Sequence, residues 1–324
     1  MIEPLSYYID GINNKDRIVL SRAITLIEST VPAHRVVANQ LIEYCLKQEK
    51  QSKRIGITGS PGVGKSTFIN ALGAEIIANS QSLAILAIDP SSTITKGSIL
   101  GDKTRMYEIA YHKDVFIRPT ASSNYLGGIA QNTYQTILLC EAFGFDYILI
   151  ETVGVGQSEI EIKHLTDLFM LLVLPNSGDE LQGIKRGVME LADIIIINKA
   201  DKANEQQAKI SVAQLKSVLP LLNYQNKEWN NIVLQTSSIE KIGIDNTLKY
   251  IESYFSKVNI ESIRKQQLLS WKNNLVIQLI QEKIMSNKNI KTIIDEFLAN
   301  DAYSYKQIQK INTQLESLIN KLDS

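Results

Sequence analysis

The sequence predicts an α/β fold in which a mostly parallel sheet is flanked by helices, with helical extensions at both ends. Three observations carry that expectation. Between residues 53 and 256, short apolar runs alternate with helical patterns, the rhythm of βαβ units. The first run, Arg54-Ile55-Gly56-Ile57-Thr58, leads straight into the glycine-rich Gly59-Ser60-Pro61-Gly62-Val63-Gly64-Lys65-Ser66-Thr67 and then the helix start Phe68-Ile69-Asn70-Ala71-Leu72. Later runs end on polar signatures, Glu151-Thr152-Val153-Gly154 and Asn198-Lys199-Ala200-Asp201. In sheets of this kind ligands collect outside the carboxyl ends of the strands.

Taken in order, residues 1–50 read as an N-terminal helical extension. Leu20, Ala23, Ile24 and Ile27 mark one helical stripe and Val37, Leu41 and Cys45 a second, broken near Val31-Pro32. Residues 51–257 form the nucleotide domain, with strands expected near 54–58, 83–88, 115–118, 147–152, 169–174, 194–198 and 231–235. Residues 258–324 form a C-terminal helical arm. Leu268, Trp271, Leu275 and Leu279 give one apolar stripe there, and Ile308, Ile311, Leu315, Leu318 and Leu322 follow in steps of three and four. That spacing suits a helix pair or a helix folded back on its own domain.

Composition narrows the function classes. A chain of 324 residues with 44% hydrophobic content can bury a substantial core and suggests about two folding units, or one large one with appendages. Ile194-Ile195-Ile196-Ile197 is far too short to cross a bilayer and reads as a buried strand. Met1-Ile2-Glu3-Pro4-Leu5-Ser6 has neither a basic signal-peptide start nor transit-peptide character, so the cytoplasm is the expected location. Basic and acidic residues balance at 34 each, which does not suit a broad nucleic-acid or anionic-membrane surface. Cys45 and Cys140 sit in apolar contexts and are expected in the core; with His34, His112 and His164 scattered, a zinc or nickel cluster is not expected.

The chemistry starts at the glycine-rich loop, whose G-x-x-x-x-G-K-[ST] pattern between strand and helix is a phosphate loop. Backbone N–H groups of Gly62, Val63, Gly64, Lys65, Ser66 and Thr67 would cradle phosphates at the helix N-terminus. Lys65 would reach the β and γ phosphates, and the Ser66 hydroxyl would ligate Mg2+. Asn198-Lys199-Ala200-Asp201 follows the Ile194–Ile197 run, where a guanine-reading motif must lie. The Asp201 carboxylate can accept from guanine N1 and N2, whereas adenine offers the wrong donors; Asn198 would brace the loop and the Lys199 stem cover the base. Gln235-Thr236-Ser237-Ser238, at the next strand end, is the candidate for backbone contacts to guanine O6, through Ser237.

Three acids are placed to close the cation side: Glu151 and Asp89 at strand ends, and Asp102 in Gly101-Asp102-Lys103. Each could instead be a helix cap or turn acid. Position 155 is Val where GTPases of the Ras kind carry a water-orienting glutamine, with Gln157 two residues on, so slow hydrolysis without a partner is expected. The polar stretch Asn176 to Arg186 reads from spacing alone as an exposed loop.

The string Glu151-Thr152-Val153-Gly154-Val155-Gly156-Gln157-Ser158-Glu159, with Asp89-Pro90-Ser91-Ser92, Gly97 to Met106 and Asn198 to Asp201, resembles the MeaB/ArgK family. These are GTPase chaperones of methylmalonyl-CoA mutase, also described as kinases of the lysine/arginine/ornithine transport system. The resemblance runs from about Arg17 to Trp271 and implies a P-loop NTPase fold of the SIMIBI-like kind. It further implies a GTPase, with Lys65 and Glu151 as catalytic residues, that gates cobalamin delivery to an adenosylcobalamin-dependent acyl-CoA mutase and protects it. A homodimer built with the C-terminal helices is also implied, and Asp179, Glu180, Gln182 and Lys185 fall in the family's switch segment that relays nucleotide state. Thr93-Ile94-Thr95-Lys96, Lys103 and Arg118 to Tyr125 depart from the family pattern. The alternatives are a regulatory kinase or ATPase of transport binding proteins and a nickel-inserting metallochaperone GTPase, the latter needing a Cys/His cluster.

Overall fold

The computed structural model describes residues 2–29, 31–48, 52–89, 108–121, 128–152, 158–175, 186–221 and 228–287, with 291, 292, 295, 309, 312, 313 and 316 beyond. The chain divides into two compact units, Met1–Gln267 and Leu268–Ser324. The first opens with α1 (Leu5–Asn13), α2 (Arg17–Ile27) and α3 (Pro32–Leu46). The sequence stripes anticipate α2 and α3. Asp16 starts α2, its carboxylate accepting from the N–H groups of Ile18 at 2.8 Å and Val19 at 3.2 Å, and Pro32 occupies the first turn of α3.

Helix α1 falls within the expected helical extension but under neither of the two stripes read from the sequence, and the reason is physical. Pro4 supplies no side-chain cap, and nine residues are too few to hold a helix alone. Burial of Tyr8 and Ile12 holds it, where α1 packs against α2 and α3.

All seven expected strands form: β1 (Lys53–Gly59), β2 (Leu83–Asp89), β3 (Val115–Ala121), β4 (Tyr147–Thr152), β5 (Leu168–Val173), β6 (Ile194–Ile197) and β7 (Ile232–Gln235). Their order is β3-β2-β4-β1-β5-β6-β7, with every neighbouring pair parallel. Covered on both faces, β5 and β6 are buried and apolar along their whole length, which is why they read as unbroken runs rather than alternations. From β1 the chain builds the β2, β3 and β4 side and then crosses to β5, β6 and β7. That reversal opens a crevice above the carboxyl end of β1.

The connecting helices are α4 (Lys65–Ala78), α5 (Gly128–Phe143), α6 (Ser158–Lys163), α7 (Arg186–Leu191), α8 (Glu205–Val218) and α9 (Ile244–Lys257); α10 (Ile260–Ser286) begins in the first unit. On one face Phe68, Ile69 and Leu72 of α4 and Leu248, Ile251 and Tyr254 of α9 close over Ile55, Ile57, Leu149 and Met170. On the other, Met189 of α7 and Ala208 and Leu215 of α8 cover Leu171, Val173, Ile195 and Ile197. Helices α2 and α3 pack on α5. Both cysteines are buried free thiols, and burial pushes the Cys45 thiol up to about 12, which fits core packing rather than reactivity.

At the amino ends of the strands lies a buried charge cluster. Arg54, 4% exposed, donates from Nε to Glu141 Oε1 at 2.8 Å and from Nη2 to Oε2 at 2.5 Å. Arg264, in the first turns of α10, donates from Nε to Asp167 Oδ1 at 2.9 Å and from Nη2 to Oδ2 at 2.6 Å, with Nη1 3.2 Å from Glu141. Asp167 also accepts the Arg54 N–H at 3.0 Å. Two guanidiniums and two carboxylates therefore balance. Removing one partner strands a charge in low dielectric, so Glu141→Ala should cost about 3–5 kcal/mol, read from the urea midpoint. A loss below about 1 kcal/mol would mean the cluster is not holding these elements together.

Candidate nucleotide site

The loop between β1 and α4 has glycines at positive φ at positions 59, 62 and 64, and at two of them a side chain would also collide with a neighbour. Gly59 has φ +151°, and a Cβ there would lie 2.5 Å from the carbonyl oxygen of Leu172 on β5. Gly64, the residue before α4, has φ +94°, and its Cβ would lie 2.8 Å from Nδ2 of Asn198. Side chains at these points would push the loop off its strand and off the neighbouring turn. Val63 is fully buried, Thr67 is exposed, and the first N–H groups of α4 open toward the crevice.

Lys65 lies under this loop, 8% exposed, and its Nζ donates to the carbonyls of Gly59 at 2.8 Å and Ser60 at 3.2 Å. Burial lowers its pKa, and the negative charges of Glu151 and Glu159 oppose that shift. Ser66 Oγ donates to Glu151 Oε1 at 3.0 Å, and both side chains are buried. Two oxygens at that separation suit adjacent positions around an octahedral Mg2+, whose ligands at roughly 2.1 Å stand about 3 Å apart. The donor set is all oxygen, as a hard cation requires. Among the described residues no cluster of three or more His, Cys, Asp or Glu side chains could hold a metal, so phosphate oxygens and water would complete the shell.

The base side is assembled from the ends of β6 and β7. Asn198, 1% exposed, donates from Nδ2 to the Val63 carbonyl at 2.9 Å, and its Oδ1 accepts from Thr236 Oγ1 at 3.2 Å and Ser238 Oγ at 2.8 Å. One amide thus ties the phosphate loop to both turns. Lys199 stands exposed in the left-handed region, with Cε 3.7 Å from where a Cβ on Gly64 would sit. The Ala200 N–H donates to the Thr236 carbonyl at 3.0 Å.

Ser237 is fully buried; its Oγ accepts the Glu240 N–H at 3.1 Å and donates its proton to Asp201 Oδ1. Donating its single proton to Oδ1, the hydroxyl fixes the Asp201 carboxylate and leaves Oδ2 for a ligand. The expectation for this turn is a backbone contact to guanine O6, and the Ser237 hydroxyl has a separate task, holding Asp201.

Lys65, Ser66, Glu151, Asn198, Lys199, Asp201 and Ser237 therefore share one crevice across the carboxyl ends of β1, β4, β6 and β7. Asp89 closes β2, but its side chain lies outside the described residues, as do Asp102, Asp179, Glu180, Gln182 and Lys185. The C-terminal positions Ile308, Ile311, Leu315, Leu318 and Leu322 lie outside them too. Glu159 was not singled out from the sequence. A glutamate after a glycine-rich stretch reads as a solvent-facing helix start, yet Glu159 is buried where α6 packs on β1, β4 and α7.

The chain is similar to several known proteins. The family model described as methylmalonyl Co-A mutase-associated GTPase MeaB matches residues 20–292. A protein named Probable GTPase Rv1496, from Mycobacterium tuberculosis (strain ATCC 25618 / H37Rv), is 43% identical over 290 residues, 88% of this chain and 86% of its own length. The methylmalonic aciduria type A homolog, mitochondrial, of Caenorhabditis elegans is 37% identical over 285 residues, 83% of this chain and 70% of its own. The crystal structure of a LAO/AO transport system kinase superposes with a TM-score of 0.77 at 30% identity, covering 98% of this chain and 99% of that one.

Proposed function

Because the chain belongs to the MeaB family of methylmalonyl-CoA mutase-associated GTPases, we propose that it is a GTP-hydrolysing chaperone of an adenosylcobalamin-dependent acyl-CoA mutase, gating cobalamin delivery and protecting the mutase from inactivation. The observation that carries the nucleotide half of this reading is Asn198, whose one side chain couples the phosphate loop to the base-reading turn. Base identity and phosphate occupancy then report to the same residue. The mutase half is supported by the family model and by the methylmalonic aciduria type A relatives.

Within this reading GTP and GDP are the ligands and Mg2+ the cofactor, which would supply charge neutralisation on the phosphates. Ser66 and Glu151 hold the cation, with Asp89 and Asp102 contributing from their own segments. Lys65 steadies the transferred phosphoryl group, and Asp201 selects guanine. Asp179, Glu180, Gln182 and Lys185 relay the nucleotide state to the mutase, and the arm 258–324 pairs two copies of the chain in the cytoplasm.

The test is nucleotide-dependent co-purification. Tagged protein loaded with a non-hydrolysable GTP analogue or with GDP should retain a cobalamin mutase to different extents, and mutase turnover should outlast that of mutase alone. Equal retention in both states, or none, would defeat the chaperone reading. Phosphate transfer from the nucleotide to a transport binding protein in the same preparation would favour the kinase instead.

A further inference from the structure

Beyond Glu151, the segment after β4 buries one more carboxylate than the loop motif requires. Glu159 is the second residue of α6 and only 8% exposed. Glutamate is almost never buried to that extent unless something in the site uses or balances its charge. Helix α6 packs on β1 and β4, the two strands whose ends carry the phosphate loop and Glu151. Five residues after β4, the amino end of α6 therefore lies at the carboxyl-end side of the sheet where Glu151 stands, and the Glu159 charge acts on Lys65.

The other members of this cluster already have tasks. Lys65 serves the phosphates, while Ser66 and Glu151 are bonded to each other at the cation position. Hydrolysis also needs a group that orients the attacking water, and position 155, where a glutamine would do so, is an apolar Val. A carboxylate accepts a hydrogen bond from water and raises the electron density on its oxygen, so it can fill that role.

We propose that Glu159 is a further catalytic residue, the acceptor that orients the attacking water on the terminal phosphate. The water oxygen forms its bond to the γ phosphorus as the bond from that phosphorus to the β,γ-bridging oxygen breaks. Glu159 takes the proton the water loses and returns it to the departing inorganic phosphate. Lys65 meets the charge that develops on the oxygen left with GDP, and Glu159 ends the cycle ionised as it began. The inference rests on the GTP-hydrolysing reading above.

Glu159→Ala and Glu159→Gln separate this from a structural role through two readouts. Single-turnover hydrolysis by Glu159→Ala should fall by roughly 100-fold or more, the usual scale for losing a general base. GTP affinity, titrated with a fluorescent analogue in EDTA and again with Mg2+, should hold or tighten, since a negative charge near the triphosphate has gone. Glu159→Gln should keep that affinity and recover part of the rate, because an amide still accepts a hydrogen bond from water. Hydrolysis within threefold of wild type in Glu159→Ala, or a rate loss matched by an equal loss of GTP binding, overturns the proposal. Wild-type protein that binds GTP without hydrolysing it would sink the hydrolysis reading itself, an outcome distinct from normal wild-type turnover with an undiminished variant.

Discussion

Lys65→Ala should lower GTP and GDP affinity by roughly 100-fold or more and abolish every nucleotide-dependent effect. The ammonium is buried beneath the loop and reaches out from the first residue of α4, so each bond it makes to a phosphate is charge-assisted and partly desolvated. Two such bonds at about 1.5–3 kcal/mol each amount to about 3–6 kcal/mol, and each 1.4 kcal/mol is tenfold in affinity. The fold should survive. The lost protein contacts are two hydrogen bonds to loop carbonyls, and no core atom is removed. Isothermal calorimetry on the variant, with circular dichroism as the folding control, decides it. Normal GTP binding would mean the phosphates sit elsewhere.

Asp201→Asn should cut the preference for guanine over adenine nucleotides by about 10- to 100-fold while leaving phosphate contacts intact. An amide keeps an acceptor for the Ser237 hydroxyl, so the side chain stays in place and the turn keeps its shape. What changes is the edge facing the base. An amide group turns a donor toward the guanine N1 and N2 donors, and two charge-assisted bonds weaken together. Competition between GTP and ATP for a fluorescent guanine nucleotide measures the ratio. A preference within twofold of wild type would show that Asp201 does not read the base.

Much of this site was legible in the residues because its chemistry is local. The loop, its lysine and the strand before it are contiguous, and Asn198 to Asp201 directly follow four isoleucines that can hardly be anything but a buried strand. What was hidden depends on chain segments far apart. The order β3-β2-β4-β1-β5-β6-β7 is set by crossover connections, which leave no mark on the apolar runs themselves. Arg54 meets Glu141 across 87 positions and Arg264 meets Asp167 across 97, so no spacing rule could pair them. Helix α1 escaped for the opposite reason: its own residues carry no start signal, and it forms because α2 and α3 bury it.

The place of β1 between β4 and β5 has a kinetic corollary. Its amides are laddered on both sides, so Ile55 to Thr58 should be among the slowest to exchange with deuterium, opening only when the whole first unit unfolds. The loop that grips phosphate is moored to this late-melting strand. A tightly held nucleotide should therefore raise the thermal midpoint of the entire unit, not only that of the crevice, in proportion to the logarithm of its concentration over Kd.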